Sequence, residues 1–200
     1  MIRKLAGAFA ATALIILPAA AFAQAVQSQP GLKPRNAEVR ALLASDDIDH
    51  KDDATIDFAK IAQADKHRRA RIRELLAQGM LRNGGDYRAA AFIFQHGSST
   101  DDYLLAHALA MTAVALGDRK ALWIANAALD RYLMTIGQKQ IFGTQFVQQN
   151  GPDQPFSQEP YDRELVPDDL RKRLGVRSLA NQALFLKGLE AQRAATKPKD

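Results

Sequence analysis

From Thr55 to Gln78 apolar residues fall at Phe58, Ile61, Ala62, Ile72, Leu75 and Leu76, a helical period that Gly79 ends. The pattern predicts a second helix from Asp86 to His96, carrying Ala89, Ala90, Phe92, Ile93 and Phe94 and stopped by Gly97. Ser99 and Thr100 offer N-caps for a third over Asp101 to Leu116, whose opening Asp101 and Asp102 suit the helix dipole. Gly117 closes it, and Asp118 opens a fourth that runs to about Ile136 before Gly137. The last two are apolar on nearly every face, so they are expected to be buried among neighbours. Upstream, Asn36 to Ala44 reads as a short helix with Asn36 as its cap. Downstream, Pro167-Asp168-Asp169 starts a short helix ending at Arg171-Lys172-Arg173 before Gly175, and Ser178 caps a last one to about Ala194. Only Gln138 to Val166 breaks the helical pattern. There Ile141 to Val147 is predicted extended and the rest is rich in Gln and Pro, the mark of a functional loop or a disordered one.

These elements predict an all-α chain of stacked helical hairpins with one extended loop. Gly85-Asp86-Tyr87-Arg88-Ala89 and Gly117-Asp118-Arg119-Lys120-Ala121 lie 32 residues apart and are expected to begin equivalent helices. With the Ala115-Leu116-Gly117-Asp118 turn, residues 80–136 resemble the tetratricopeptide repeat, which implies helix–turn–helix stacking. Two such units are too few to stand alone, so the outer helices are expected to cap them.

Polar residues interrupt the apolar stripes at telling places. Asp65, Arg68 and Arg69 sit where the first long helix should face the core, with Asp65 and Arg69 one turn apart and placed to pair. Ser45 to Asp53 looks at first like a calcium loop. Counted from Asp47, however, Asp52 stands where glycine is required and Phe58 where a bidentate Glu belongs. A solvated acidic turn is expected instead.

Composition adds compartment. The 200 residues contain no cysteine, 47% hydrophobic and 24% charged residues, which excludes a disulfide scaffold, a thiolate metal site and a cysteine nucleophile. Arg3 and Lys4, the apolar run Leu5 to Ala20 and Ala21-Phe22-Ala23 make a signal peptide over 1–23, with Gln24 as the first mature residue. Its removal lowers the formal charge from +5 to +3. The expectation is a periplasmic or secreted protein with no stable membrane insertion after cleavage, and export argues against nucleic acid as a partner. Residues 24–53 are expected to be a flexible leader with one short helix, 54–195 a single helical domain and 196–200 a disordered tail.

No nucleophile elbow, zinc-protease motif, phosphate loop or dinucleotide fingerprint is present. What stands out is Phe94-Gln95-His96-Gly97, Leu129-Asp130-Arg131 and Gln140-Ile141-Phe142-Gly143-Thr144-Gln145. Together with Arg173-Leu174-Gly175-Val176, these resemble the Gln-His, Asp-Arg and Gly-Thr-Gln motifs of a bacterial domain family of unknown function, over roughly Asp65 to Gln182. The resemblance implies that the motifs act together and names no substrate. Asp65, Arg69, Gln95, Arg131, Gln140, Thr144 and Gln145 are therefore candidate binding residues, and the leading expectation is a binding module for a protein or small anionic ligand. The alternative is a hydrolase-like enzyme in which His96 is the acid or base, Asp130 orients it and an arginine holds an anion. Against both stands a structural reading: Asp130, Arg131 and Gln145 clamp the loop, while His96 answers a helix dipole. Asn126 and Asp130 share a face with Trp123, and His107 is expected to be a hydrogen-bonded core residue. No cofactor is implied. His96, His107 and Asp130 make a poor metal set, because two histidines eleven residues apart on different helices carry little signal.

Overall fold

The computed structural model describes residues 32–51, 57–149, 151 and 154–196, with the backbone of Ile15–Ile16. The rest of the expected signal peptide and leader, the end of the acidic run and the last four residues lie outside the described residues. Among the described residues the chain is all-α, with seven helices: α1 (Ala37–Asp49), α2 (Phe58–Ala77), α3 (Gly84–Gln95), α4 (Thr100–Ala115), α5 (Ala121–Thr135), α6 (Asp168–Arg173) and α7 (Leu179–Thr196). None of them is long and apolar enough to cross a membrane.

Capping chemistry sets the starts. Asn36 accepts from the Glu38 and Val39 amides, Asp57 from those of Ala59 and Lys60, and Ser99 from that of Asp102. Asn83 and Asp86 form a reciprocal capping box on α3. Asp86 thus lies inside the first turn of α3, whereas Asp118 precedes the first residue of α5. The two Gly-Asp segments are therefore not equivalent, because Asn83 starts its helix earlier.

Consecutive helices α3, α4 and α5 pack side by side, and α1 and α2 lie against α3. Alanine makes the close approach possible: Ala89, Ala90, Ala91, Ala106, Ala110, Ala113, Ala125 and Ala128 are buried with Ile72, Ile93, Phe94 and Ile124. The start of α3 approaches the end of α4 closely at Gly84, where a methyl group would come within 2.9 Å of the Ala113 carbonyl. Burying this surface in place of water is the main favourable contribution to the fold.

α1 is longer than expected. It continues through the acidic run to Asp49, with His50 as its C-cap, and Asp46 is only 1% exposed. The solvated acidic turn is thus corrected: carboxylates that meet a guanidinium and two imidazoles gain more in the interior than the run's polarity suggests. Part of the leader is also held down. The Lys33 carbonyl accepts from Asn83, the Leu32 carbonyl from Arg88, and the Asn36 amide donates to Asp86.

After α5 the chain makes a compact loop rather than an extended run over Ile141 to Val147. β2 (Val147–Gln148) pairs antiparallel with β3 (Phe156–Ser157), and β1 (Ile15–Ile16), inside the expected signal peptide, lies antiparallel along the other edge of β2. Two small clusters fasten this half. Phe146 and Leu189 pack with Trp123 and Phe185, and Phe142, Val166 and Val176 with Leu129 and Leu174.

Candidate functional site

The motif residues separate into two centres. Asp130 and Arg131 divide them, because neighbours on a helix point about 100° apart. At the first centre, Asp130 Oδ1 accepts from the Ile141 and Phe142 amides at 2.8 and 3.0 Å. Its Oδ2 accepts from the Thr144 amide at 2.9 Å and the Thr144 hydroxyl at 2.7 Å. Burial pushes this carboxyl above its usual range, against the four donors that favour its charge. Gln140 Oε1 accepts from the Gln145 amide while its Nε2 donates to the carbonyls of Gln145 and Gln158. Gln145 Nε2 donates to the Ala127 carbonyl at 3.3 Å and to Thr144 Oγ1 at 2.9 Å. Gly143 turns the chain at φ +69°. This is a clamp: Asp130, Gln140 and Gln145 hold the backbone of the Gly-Thr-Gln loop by bonds within the protein.

Further members come from far along the chain and had no signal in the motifs. Arg171, wholly buried, donates to the Phe142 carbonyl at 2.8 Å. Gln182 donates to the same carbonyl at 2.7 Å and accepts from the Tyr161 hydroxyl at 2.9 Å. Asn126 joins from α5 by donating to the Leu174 carbonyl.

His96 is in the second centre and does not meet Asp130. As the C-cap of α3 it donates from Nδ1 to Asp46 Oδ2 at 3.0 Å, and its Nε2 accepts from Gln95 Nε2 at 2.8 Å. Burial, first of all, holds its pKa below the ordinary histidine value, so this neutral tautomer is the resting one. Its ring stacks on that of His50, with centroids 3.7 Å apart and planes at 24°. His50 Nε2 in turn donates to Asp65 at 3.1 Å. Arg68 bonds Asp65 at 2.6 Å and Asp49 at 2.7 Å and lies 3.3 Å from Asp46. Burial alone would raise the Asp65 carboxyl, but the bonds from His50 and Arg68 outweigh it and leave the group below its usual range.

The expected Asp65–Arg69 pair is therefore not formed. Asp65 takes Arg68, one residue closer, while Arg69 reaches Asp102 at 3.4 Å and the His96 carbonyl at 3.3 Å. Arg131 donates to the Gln95 carbonyl at 3.0 Å and meets the Tyr103 side chain, and burial presses its pKa down. His107 is remote from both histidines of this centre in its bonding, with Nδ1 on the Ala125 carbonyl at 2.9 Å. Asp46 and His50 were missed in sequence because they sat in an acidic run read as solvent-facing. Their i, i+4 spacing on a helix was the one available clue.

An open groove of about 1300 Å³ runs along the outer side of the clamped loop. Phe142, Gly143 and Thr144 form one wall, α6 and α7 the other, and Trp123 and Phe185 contribute aromatic faces. Lys172 and Arg177 stand on it as cations and Asp168 and Asp169 as carboxylates, Arg177 lying 4.2 Å over the Phe185 ring. Of the candidate residues named from the motifs, only Thr144 lines this groove. No family model matches the chain, and neither a curated protein nor a solved structure does.

Proposed function

We propose that this chain is an exported helical binding protein whose ligand site is the groove between the clamped loop and α7, and that the occupant is an extended acidic peptide segment with apolar side chains. The observation that carries this reading is the groove's combination of size and lining. Its volume of about 1300 Å³ is larger than the roughly 300–1,000 Å³ of small-molecule pockets and suits a length of chain. Its lining offers Trp123, Phe142, Phe185 and Leu189 to apolar groups, and its rim places Lys172 for a carboxylate. The rim's own Asp168 and Asp169 are bonded to the Leu179 amide and to Arg173. The clamp on the loop holds one wall in place, which lowers the ordering cost of binding.

Trp123 is the single tryptophan of the chain, so its fluorescence reports on the groove directly. Titration of the mature protein with short acidic peptides carrying aromatic residues is expected to change that emission saturably. Lys172→Glu, at an exposed position of α6, is expected to weaken binding about tenfold, near 1.4 kcal/mol. A Trp123 signal indifferent to every acidic peptide, or an affinity untouched by Lys172→Glu, would overturn the proposal.

A further inference from the structure

We propose that Asp46, His50 and His96 bind a divalent transition-metal ion of the zinc class. One ligand atom from each of these three residues lies within 4.8 Å of the others. Asp46 Oδ2 and His96 Nδ1 are 3.0 Å apart, and Asp46 Oδ1 and His50 Nε2 are 4.0 Å apart. An ion held at about 2.0–2.2 Å from nitrogen and oxygen ligands in a tetrahedron requires ligand separations of about 3.4 Å, between these two values.

Two buried acceptors that take no hydrogen bond point to the same ion. They are Gln95 Oε1 and Asp46 Oδ1, the latter in an ion pair with Arg68 Nε at 3.3 Å. Each is a cost that a native protein keeps only for a reason. With a metal ion on His96 Nδ1, the ring proton moves to Nε2, where Gln95 now presents its amide nitrogen. Rotating that amide by half a turn brings Oε1 to accept the new N–H. Asp46 Oδ1 becomes a ligand. One binding event satisfies both atoms.

The charges agree. Asp46, Asp49 and Asp65 face one guanidinium, Arg68, which leaves a formal deficit of two positive charges among these four residues. His50 and His96 are the C-cap residues of α1 and α3, so two helix C-termini bring their negative ends to the site. His50 Nε2 donates to Asp65 in this structure, so binding an ion there releases that proton and leaves Asp65 to Arg68. The stacked rings must part for both to ligate. His50 has room for this, with a side chain 23% exposed against 11% for His96.

The test uses tag-free mature protein stripped with a chelator and titrated with Co²⁺ and then Zn²⁺. One equivalent of Co²⁺ is expected to give the visible absorption of a low-coordinate nitrogen–oxygen site, displaced by one equivalent of Zn²⁺. Zn²⁺ is also expected to raise Tm. His50→Gln and, separately, the isosteric Asp46→Asn are each expected to weaken the ion at least about 100-fold. His67→Gln, at an exposed position on α2, leaves it unchanged. Absence of a stoichiometric Co²⁺ spectrum in wild type, a spectrum undiminished in His50→Gln or Asp46→Asn, or one lost in His67→Gln, would each refute the site. Peptide binding at Trp123 is read separately, so either proposal can fail alone.

Discussion

Asp130 illustrates how one side chain can hold a segment that has almost no regular structure. Four donors from three residues converge on its two oxygens, and its exposure is nil. Removing it leaves three buried backbone amides of the loop without acceptors, each worth about 1–3 kcal/mol. Asp130→Ala is therefore expected to cost about 3–5 kcal/mol in denaturant unfolding, at the upper end of single substitutions. Asp130→Asn keeps the shape but sets an amide NH₂ against N–H donors, and it tests the charge by its pH dependence. A carboxyl whose folded pKa lies above its unfolded value binds more protons when folded, so its contribution is present at low pH and declines as pH rises through the folded pKa. The stability of wild type relative to Asp130→Asn should accordingly fall as pH rises above about 4, the ordinary carboxyl value. A flat or rising difference in parallel urea titrations would show that the four donors, not burial, dominate this group.

At the scale of elements, turns with the same backbone sign carry different loads. Gly137 ends α5 at φ +75° with no atom within 4 Å of the place a methyl group would take, while Gly143 turns the clamped loop at φ +69° with Tyr161 Oη only 2.6 Å from that place. Gly137→Ala should cost about 1–2 kcal/mol, the left-handed penalty alone. Gly143→Ala adds overpacking against Tyr161 and Gln182 and should cost about 3 kcal/mol or more. Equal losses in calorimetric Tm would contradict this division. The elements themselves were largely legible. Asn36, Ser99, Ser178, Gly79, Gly117 and Gly137 are local punctuation, and local punctuation is what a sequence displays. The centres were only half legible. Gln140, Thr144 and Gln145 were visible as polar residues crowded around a glycine, but Gln158, which accepts from Gln140, lies 18 residues on, and Arg171 and Gln182 reach the Phe142 carbonyl from 29 and 40 residues away. Such side-chain bonds to distant carbonyls leave no periodicity. Asp46 and His50 were hidden for the opposite reason, since their local pattern was strong and pointed to solvent.

On the scale of the whole molecule, one helix, α5, joins the helical hairpins to the loop-bearing half, by polar bonds and by the packing of Trp123 and Leu129. The alanine-rich cluster of α3, α4 and α5 and the two small clusters around Phe146 and Phe142 share few residues, with Trp123 packed against both sides. α5 links them through Asp130 to the loop and through Asn126 to the Leu174 carbonyl. A polar link of this kind can be cut without emptying either core, so the two halves should unfold with separate free energies once it is gone. In Asp130→Ala, native-state hydrogen exchange should lose protection at the Ile141, Phe142 and Thr144 amides, while Ala106, Ala110 and Ala125 keep nearly their wild-type rates. The groove depends on the same wall, so peptide binding at Trp123 should vanish in this variant even though most of its helices persist by circular dichroism. Uniform loss of protection across α4, α5 and the loop would instead mean that the molecule folds as one unit and that Asp130 supports the whole core.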